Sequence, residues 1–301
     1  MTDSAEIDRT REALLEQFVG FLAEPTPEDI AVFRARVQAL LDAAPEEELA
    51  RVVQRVASTG EEWGYYPAEP FARQVHYAMA DATLEDSSRL EGGEHLDAVR
   101  DRPLIILPNH VSYSDANLFE ILIQRAGFSD VADRLTVIVG PKVYGDPLRR
   151  FSSLCFGTIK TAQSSARSSG TAVMGAREVA RIARQTIQTS FERLEAGDAL
   201  LIFPEGTRSR TASMQPILAA ISRYLERPGA VLLPVGITGT ENLIPIGESR
   251  IHPTTVVIRI GEPIASEDLV ARCDRKRPKM AEAIGKAIAA TLPESYRGVY
   301  G

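Results

Sequence analysis

The chain has 301 residues, 44% hydrophobic and 25% charged, enough to bury a full core and to build one large α/β domain with a smaller unit attached. Its net charge of −7 is uneven: residues 1–100 hold 21 acids against nine arginines and no lysine, while the remaining 201 residues hold 25 bases against 20 acids. Two distant cysteines, Cys155 and Cys273, exclude a disulfide framework and a paired-cysteine zinc site. They fit a reducing compartment. Apolar runs such as LIIL (104–107) and ALLIF (199–203) fall far short of the roughly 20 residues of a membrane span, and MTDSAEIDRTREALLEQF at the start has neither the basic start nor the apolar run of a secretion signal.

Residues 27–58 carry apolar side chains at helical spacing, among them Ile30, Val32, Phe33, Val37, Leu40, Leu41, Leu49, Val52 and Val56. Thr26 is placed to act as an N-cap, with Pro27 at the first helical position and acids in the first turn. STGEEWGYYPAEP (58–70) reads as a linker, and another helix is expected from Phe71 to about Glu85. Residues 1–90 are thus expected to form an N-terminal helical domain whose acids are solvated helix faces.

From Arg102 the pattern changes. LIILP (104–108), LTVIVG (135–140), ALLIFP (199–204), AVLLPVGI (230–237) and TVVIRIG (255–261) read as buried strands, each closed by Gly, Pro or a turn. Helical patterns occupy about 115–126, 173–196, 214–226 and 278–291. This alternation predicts an α/β domain over residues 91–301, with a mixed, largely parallel sheet flanked by helices. TAQSSARSSGT (161–171) reads as a loop, either a flap or a ligand-holding segment.

Two segments carry candidate chemistry. In LPNHVSYSD, His110 and Asp115 are five residues apart, on different faces of any continuous helix. Pro108 disfavours helix before it and Ser112 or Ser114 suits a cap, so a turn would bring the two together. Asp115 would then fix the tautomer of His110 and leave the other ring nitrogen as a base. On spacing alone a structural histidine fits equally well. In LLIFPEGTRSR, a strand ends at Pro204 and is followed by Glu205, Gly206, Thr207, Arg208 and Arg210. The arginines suit a phosphate and Gly206 permits close backbone approach, though a polar turn with solvated arginines also fits. No Gly-x-Ser-x-Gly, His-Glu-x-x-His, Walker or Gly-x-Gly-x-x-Gly pattern is present. His76, His95 and His252 have no partner at useful spacing and read as structural or solvated. Arg149, Arg150 and DRKRPK (274–279) fit a solvated face, or contacts to coenzyme phosphates, an acidic carrier protein or an anionic membrane surface.

NHVSYSD resembles the Asn-His-x4-Asp signature of the glycerolipid acyltransferases, the glycerol-3-phosphate and 1-acylglycerol-3-phosphate acyltransferase family, and FPEGTRSR resembles their Pro-Glu-Gly-Thr-Arg signature. Between and after them, GPKVYGDPLRRFSS (140–153), LLPVGITGTENL (232–243) and IRIGEPI (258–264) are similar to further blocks of the family, in order, over roughly residues 100–265. The helical N-terminal unit is similar to that of the soluble plastid-type glycerol-3-phosphate acyltransferases. Their paired basic residues after the second block have no matching pair here; Lys160 and Arg167 stand nearest.

The resemblance implies an O-acyltransferase of phospholipid synthesis. His110, oriented by Asp115, would deprotonate an acceptor hydroxyl that attacks a fatty acyl thioester. Lys142, Glu205, Gly206, Thr207, Arg208 and Arg210 would form the substrate site, with Arg208 and Arg210 on the acceptor phosphate; for Lys142 a structural surface lysine fits as well. Acyl-CoA or acyl-carrier protein would be the donor and a phosphorylated glycerol the acceptor. No separate cofactor, no metal and no nucleic acid is expected. The location expected is cytoplasmic, either soluble or peripheral on the inner face of the membrane. The same chemistry on another lysophospholipid or lipid alcohol, and a noncatalytic lipid or acyl-carrier binding module, are the alternatives.

Overall fold

Short apolar runs become strands wherever both their faces are covered. The computed structural model describes residues 4–22, 26–58, 62–162, 174–248 and 250–301. Among them are nine strands: β1 (Tyr65–Tyr66), β2 (Arg89–Glu91), β3 (Leu104–Pro108), β4 (Leu135–Val139), β5 (Gly157–Lys160), β6 (Ala199–Leu201), β7 (Val231–Thr238), β8 (Val257–Ile260) and β9 (Ile264–Ala265). They form one sheet in the order β1-β5-β4-β6-β3-β7-β8-β2, with β9 paired to β7. The five central strands β5, β4, β6, β3 and β7 are mutually parallel; β1, β8 and β9 join them antiparallel, and β2 lies parallel to β8. The expected mixed, largely parallel sheet flanked by helices is what forms.

Side-chain alternation divides the interior in two. Leu104 and Ile106 of β3 pack on one face with Val137, Leu201, Leu233 and the apolar stripes of the N-terminal helices, while Ile105 and Leu107 point to the other face with Leu200, Leu232, Ile284 and Ile288. All five residues of β3 are buried, the mark of a central parallel strand.

The helix Pro27–Ala43 begins as the sequence predicts. Thr26 Oγ1 accepts from the Asp29 N–H at 3.1 Å and Asp29 Oδ2 accepts the Thr26 N–H at 3.3 Å, a reciprocal capping box. Phe33, Val37 and Leu41 recur every four residues and are buried, each contributing about 1.5–3 kcal/mol; Val32, off this stripe, is 67% exposed. The helix expected from Phe71 runs Pro70–Thr83. These helices share one apolar core with the sheet, and Tyr65–Tyr66, inside the stretch read as a linker, pairs with Ile159 and Thr158 of β5.

Helices Asp115–Arg125, Ala176–Glu195 and Arg277–Ala290 also lie where the periodicity predicts. The segment 214–226 does not become one helix. Its amides are spent elsewhere: Met214 N–H on Tyr296 O (2.9 Å), Gln215 N–H on Glu205 (2.6 Å), Ile217 N–H on Tyr300 Oη (2.9 Å) and Leu218 N–H on Pro204 O (3.0 Å). Only a 3-10 turn at Ala219–Ile221 and a short helix Ser222–Leu225 remain.

Adjacent parallel strands β3, β6 and β4 end at Pro108, Leu201 and Val139, on one edge of the sheet. In open α/β sheets this carboxyl edge is where ligand-binding loops gather.

Candidate active site

Immediately after β3, Asn109 is fully buried, and its side-chain amide pairs with one residue of the neighbouring strand: Nδ2 donates to Ile237 O at 2.9 Å and Oδ1 accepts the Ile237 N–H at 2.7 Å. The side chain mimics a peptide group and anchors the loop as it leaves the sheet. His110 follows. Its Nδ1 lies 2.8 Å from Asp115 Oδ2, which also accepts the N–H groups of Val111 (2.8 Å) and Ser112 (3.0 Å). Asp115 Oδ1 accepts the hydroxyl of Thr240. Asp115 is fully buried, and four donors converge on its carboxylate, three on Oδ2 and one on Oδ1, so the buried oxygens are satisfied. With Nδ1 donating to Asp115, Nε2 carries the free lone pair. Ser114 takes the N-cap position of the helix Asp115–Arg125 but makes no side-chain cap bond; Asp115 turns back to take the loop amides instead. Thr240 reaches it because Gly239 adopts φ +91°, where a Cβ would lie 2.1 Å from the Thr255 carbonyl.

The loop after β6 closes on this pair. Phe203 stacks on the His110 ring at 3.9 Å and 23°. Gly206, at φ +71°, turns the chain sharply with its N–H on Phe203 O at 3.0 Å. Ser209 N–H donates to His110 O at 2.7 Å. Glu205 is buried, its Oε1 accepting the His110 N–H at 2.8 Å and its Oε2 the Gln215 N–H at 2.6 Å. Burial pushes the Glu205 carboxyl up to about 7, against the pull of these two amides.

Tyr113 collects the positive charge. The guanidinium carbon of Arg149 lies 3.9 Å from its ring centre and that of Arg208 4.3 Å, so the two cations stand no more than about 8 Å apart. Arg149 is held in place by its Nη1 donating to Lys142 O at 3.0 Å and by its own N–H on the Asp146 side chain at 3.0 Å. His110, Tyr113, Arg149 and Gly206 line a cavity of about 850 Å3 that continues between β4 and the helix Ala176–Glu195, along Val137, Val139, Ala183 and Ile187. His110, Arg149 and an apolar recess therefore share one cavity at the carboxyl edge of the sheet, with Arg208 beside it on Tyr113. Among the described residues no group of three or more His, Cys, Asp or Glu is placed to hold a metal.

A family model for acyltransferases matches residues 88–238, half of the chain, and spans both the His110–Asp115 turn and the Glu205–Arg210 loop. The chain belongs to the acyltransferase family. Among curated members, the chloroplastic 1-acyl-sn-glycerol-3-phosphate acyltransferase LPAT1 of Arabidopsis thaliana is 21% identical over 223 residues, covering 72% of this chain and 56% of that protein. A 1-acyl-sn-glycerol-3-phosphate acyltransferase of Chlamydomonas reinhardtii is 23% identical over 200 residues, covering 66% and 51%. The chain thus spans about half the length of these curated relatives. Among solved structures, the 1-acyl-sn-glycerophosphate (LPA) acyltransferase PlsC from Thermotoga maritima aligns with a TM-score of 0.48 and 18% identity, over 94% of this chain and 95% of that one.

His110 and Gly206 line the cavity, whereas Asp115 and Arg208 do not line it and stand beside it on the His110 ring and the Tyr113 ring. Lys142, Glu205, Thr207 and Arg210 do not line the cavity. Glu205 is walled in with both oxygens engaged, Arg210 is exposed, and Lys142 contributes its carbonyl to Arg149. Arg167 and most of the 161–171 loop lie outside the described residues. Arg149, read from the sequence as either a solvated residue or a contact to anionic groups, lines the cavity. Three contributors were missed: Asn109, Tyr113 and Thr240. The first two sit beside or within the His110 turn, so their position was the available signal; Thr240 carries none without the fold. His76 is buried, Nδ1 on Ala72 O at 2.9 Å and its ring stacked on Phe151 at 5.1 Å, a structural histidine. Among the described residues, no helix is long and apolar enough to cross a membrane.

Proposed function

We propose that the chain is an O-acyltransferase that moves a fatty acyl group from a thioester, acyl-CoA or acyl-carrier protein, to the free hydroxyl of a phosphorylated glycerol, with 1-acylglycerol-3-phosphate the leading acceptor. The carrying observation is the His110 Nδ1 to Asp115 Oδ2 contact of 2.8 Å at the mouth of an apolar cavity, beside the two arginines on Tyr113. Nε2 of His110 takes the acceptor's hydroxyl proton as its oxygen attacks the thioester carbonyl carbon. The C–S bond then breaks, and the imidazolium returns its proton to the thiolate, leaving an ester and a free thiol. Atoms and charge balance with no acyl-enzyme and no separate cofactor. Arg208 and Arg149 hold the acceptor's phosphate, which aligns its hydroxyl beside the base. The apolar recess takes an acyl chain, and about 850 Å3 is within the usual range for ligand cavities. Curated relatives that act on 1-acyl-sn-glycerol-3-phosphate, by their names, favour that acceptor over glycerol-3-phosphate. A lipid acceptor calls for work at a membrane surface, here as a peripheral protein on the cytoplasmic side.

Thiol release by the purified chain given palmitoyl-CoA or palmitoyl-carrier protein tests this, with 1-acylglycerol-3-phosphate, glycerol-3-phosphate or no acceptor. Release dependent on 1-acylglycerol-3-phosphate is expected. Dependence on glycerol-3-phosphate alone moves the chain to the first acylation step, and absence of acceptor-dependent release overturns the reading.

A further inference from the structure

Val139 and Ser153 line the catalytic cavity and also a second cavity of about 310 Å3. Four cations line this second space: Arg51 and Arg55 from the helix Glu46–Ala57, Arg150 from the helix Pro147–Ser152, and Lys160 from β5. Among the described residues no carboxylate lines it. Buried Glu69 engages two of the four, accepting from Arg55 at 2.8 Å and from Arg51 at 3.4 Å.

These are not simply solvated side chains. Arg55 is 18% exposed and fixed by a second bond to Pro67 O at 2.7 Å. Lys160 is 6% exposed, with Nζ 5.0–5.6 Å from the ring centres of Tyr144, Tyr66 and Trp63. Arg150 brings a further guanidinium to the space from another helix. Cations gathered around one space, with a single buried carboxylate engaging two of them, make it attractive to an anion. Guanidinium forks favour oxyanions, and a tetrahedral dianion offers more acceptor directions than a planar carboxylate.

We propose that this second cavity binds a phosphomonoester, at a site separate from the acceptor site at Arg149 and Arg208. The ligand is either free in solution or the headgroup of an anionic lipid such as phosphatidate. The proposal does not rest on acyl transfer, and its test needs no acyl donor.

Trp63 is the chain's single tryptophan and stands 5.6 Å from Lys160 Nζ, so its emission reports on this site. The full chain is titrated with inorganic phosphate at constant ionic strength, and separately with phosphatidylcholine vesicles with and without phosphatidate. A saturable change in emission is expected, weakened about tenfold or more in Arg150→Gln and in Arg51→Gln and retained in Arg208→Gln, with thermal melts confirming that each variant folds. Response to free phosphate assigns a soluble ligand; response to phosphatidate vesicles alone assigns the lipid headgroup. Absence of a saturable response to either, a response that survives both cavity substitutions, or one lost only in Arg208→Gln, overturns the proposal. Should Arg150→Gln fail to fold, Arg51→Gln decides alone, since its side chain is 53% exposed.

Discussion

Glu205 holds the backbone of His110: its Oε1 accepts the His110 N–H at 2.8 Å, joining the loop after β6 to the loop after β3. Burial raises the Glu205 carboxyl from 4.5 to about 7, so the unfolded chain releases this proton first as pH rises. The contribution of Glu205 to stability therefore falls between pH 4.5 and about 7. Glu205→Gln should flatten that slope in urea unfolding compared at pH 5 and pH 8. It should also cost about 1–3 kcal/mol, because one amide N–H would face a donor instead of an acceptor. Turnover should drop with it, as the His110 backbone loses its anchor.

His110→Ala should abolish turnover while acyl-donor binding, followed by calorimetry with palmitoyl-CoA, is largely kept. Unchanged turnover would remove His110 from the chemistry. Asp115→Asn should lower kcat by about a thousandfold or more, since the amide presents a donor where donors already converge and the imidazole loses its enforced tautomer.

Arg208→Gln and Arg149→Gln should each raise KM for the phosphorylated acceptor by about tenfold or more, with a much smaller effect on KM for the thioester. Because both cations share the Tyr113 ring, the double variant should lose less than the two single losses combined. Equal effects on both substrates would argue against a phosphate clamp.

Ala183 lines the apolar recess from the helix Ala176–Glu195. Ala183→Phe fills part of it, so preference should shift to shorter acyl chains, read from competition between palmitoyl-CoA and decanoyl-CoA. A uniform loss across chain lengths would show that the acyl group goes elsewhere.

Burial lowers His76 from 6.5 to about 4. Its folded form stays neutral while the unfolded chain is protonated, so the stability it contributes is present above pH 6.5 and is lost as pH falls toward 4. His76→Leu should flatten the acid side of a stability profile measured between pH 4 and pH 7. An unchanged acid slope would mean that other groups carry it.

The parallel strands were legible because LIILP, LTVIV and VLLPVGI are apolar but for Thr136, as strands buried on both faces tend to be, and the main helices because their apolar residues recur at helical spacing. β5 was not. GTIK contains a glycine, a threonine and a lysine, yet all four are buried, and Gly157 is required because a Cβ there would lie 2.4 Å from Thr136 Oγ1. The pairing of His110 and Asp115 could be read from the sequence because five residues are enough for a local turn. Thr240 could not, since only the pairing of β7 with β3 brings it across 125 positions. The sequence left Arg149 between a solvated face and contacts to anionic groups, and the fold brings it to the cavity through Tyr113, whose ring it shares with Arg208. Glu205 showed the opposite: a carboxylate in a ligand-like motif turned out to be a strut.

His110 and one wall of the apolar recess come from different parts of the chain. His110 is fixed by β3, β7 and the loop after β6, whereas Ala180, Ala183 and Ile187 line the recess from a single helix. On the proposed reading, substitutions on that helix would reshape the lipid product without touching the residues that move the proton. Descendants of such a scaffold would then diversify their products by altering one wall while the turn that holds His110 stays as it is.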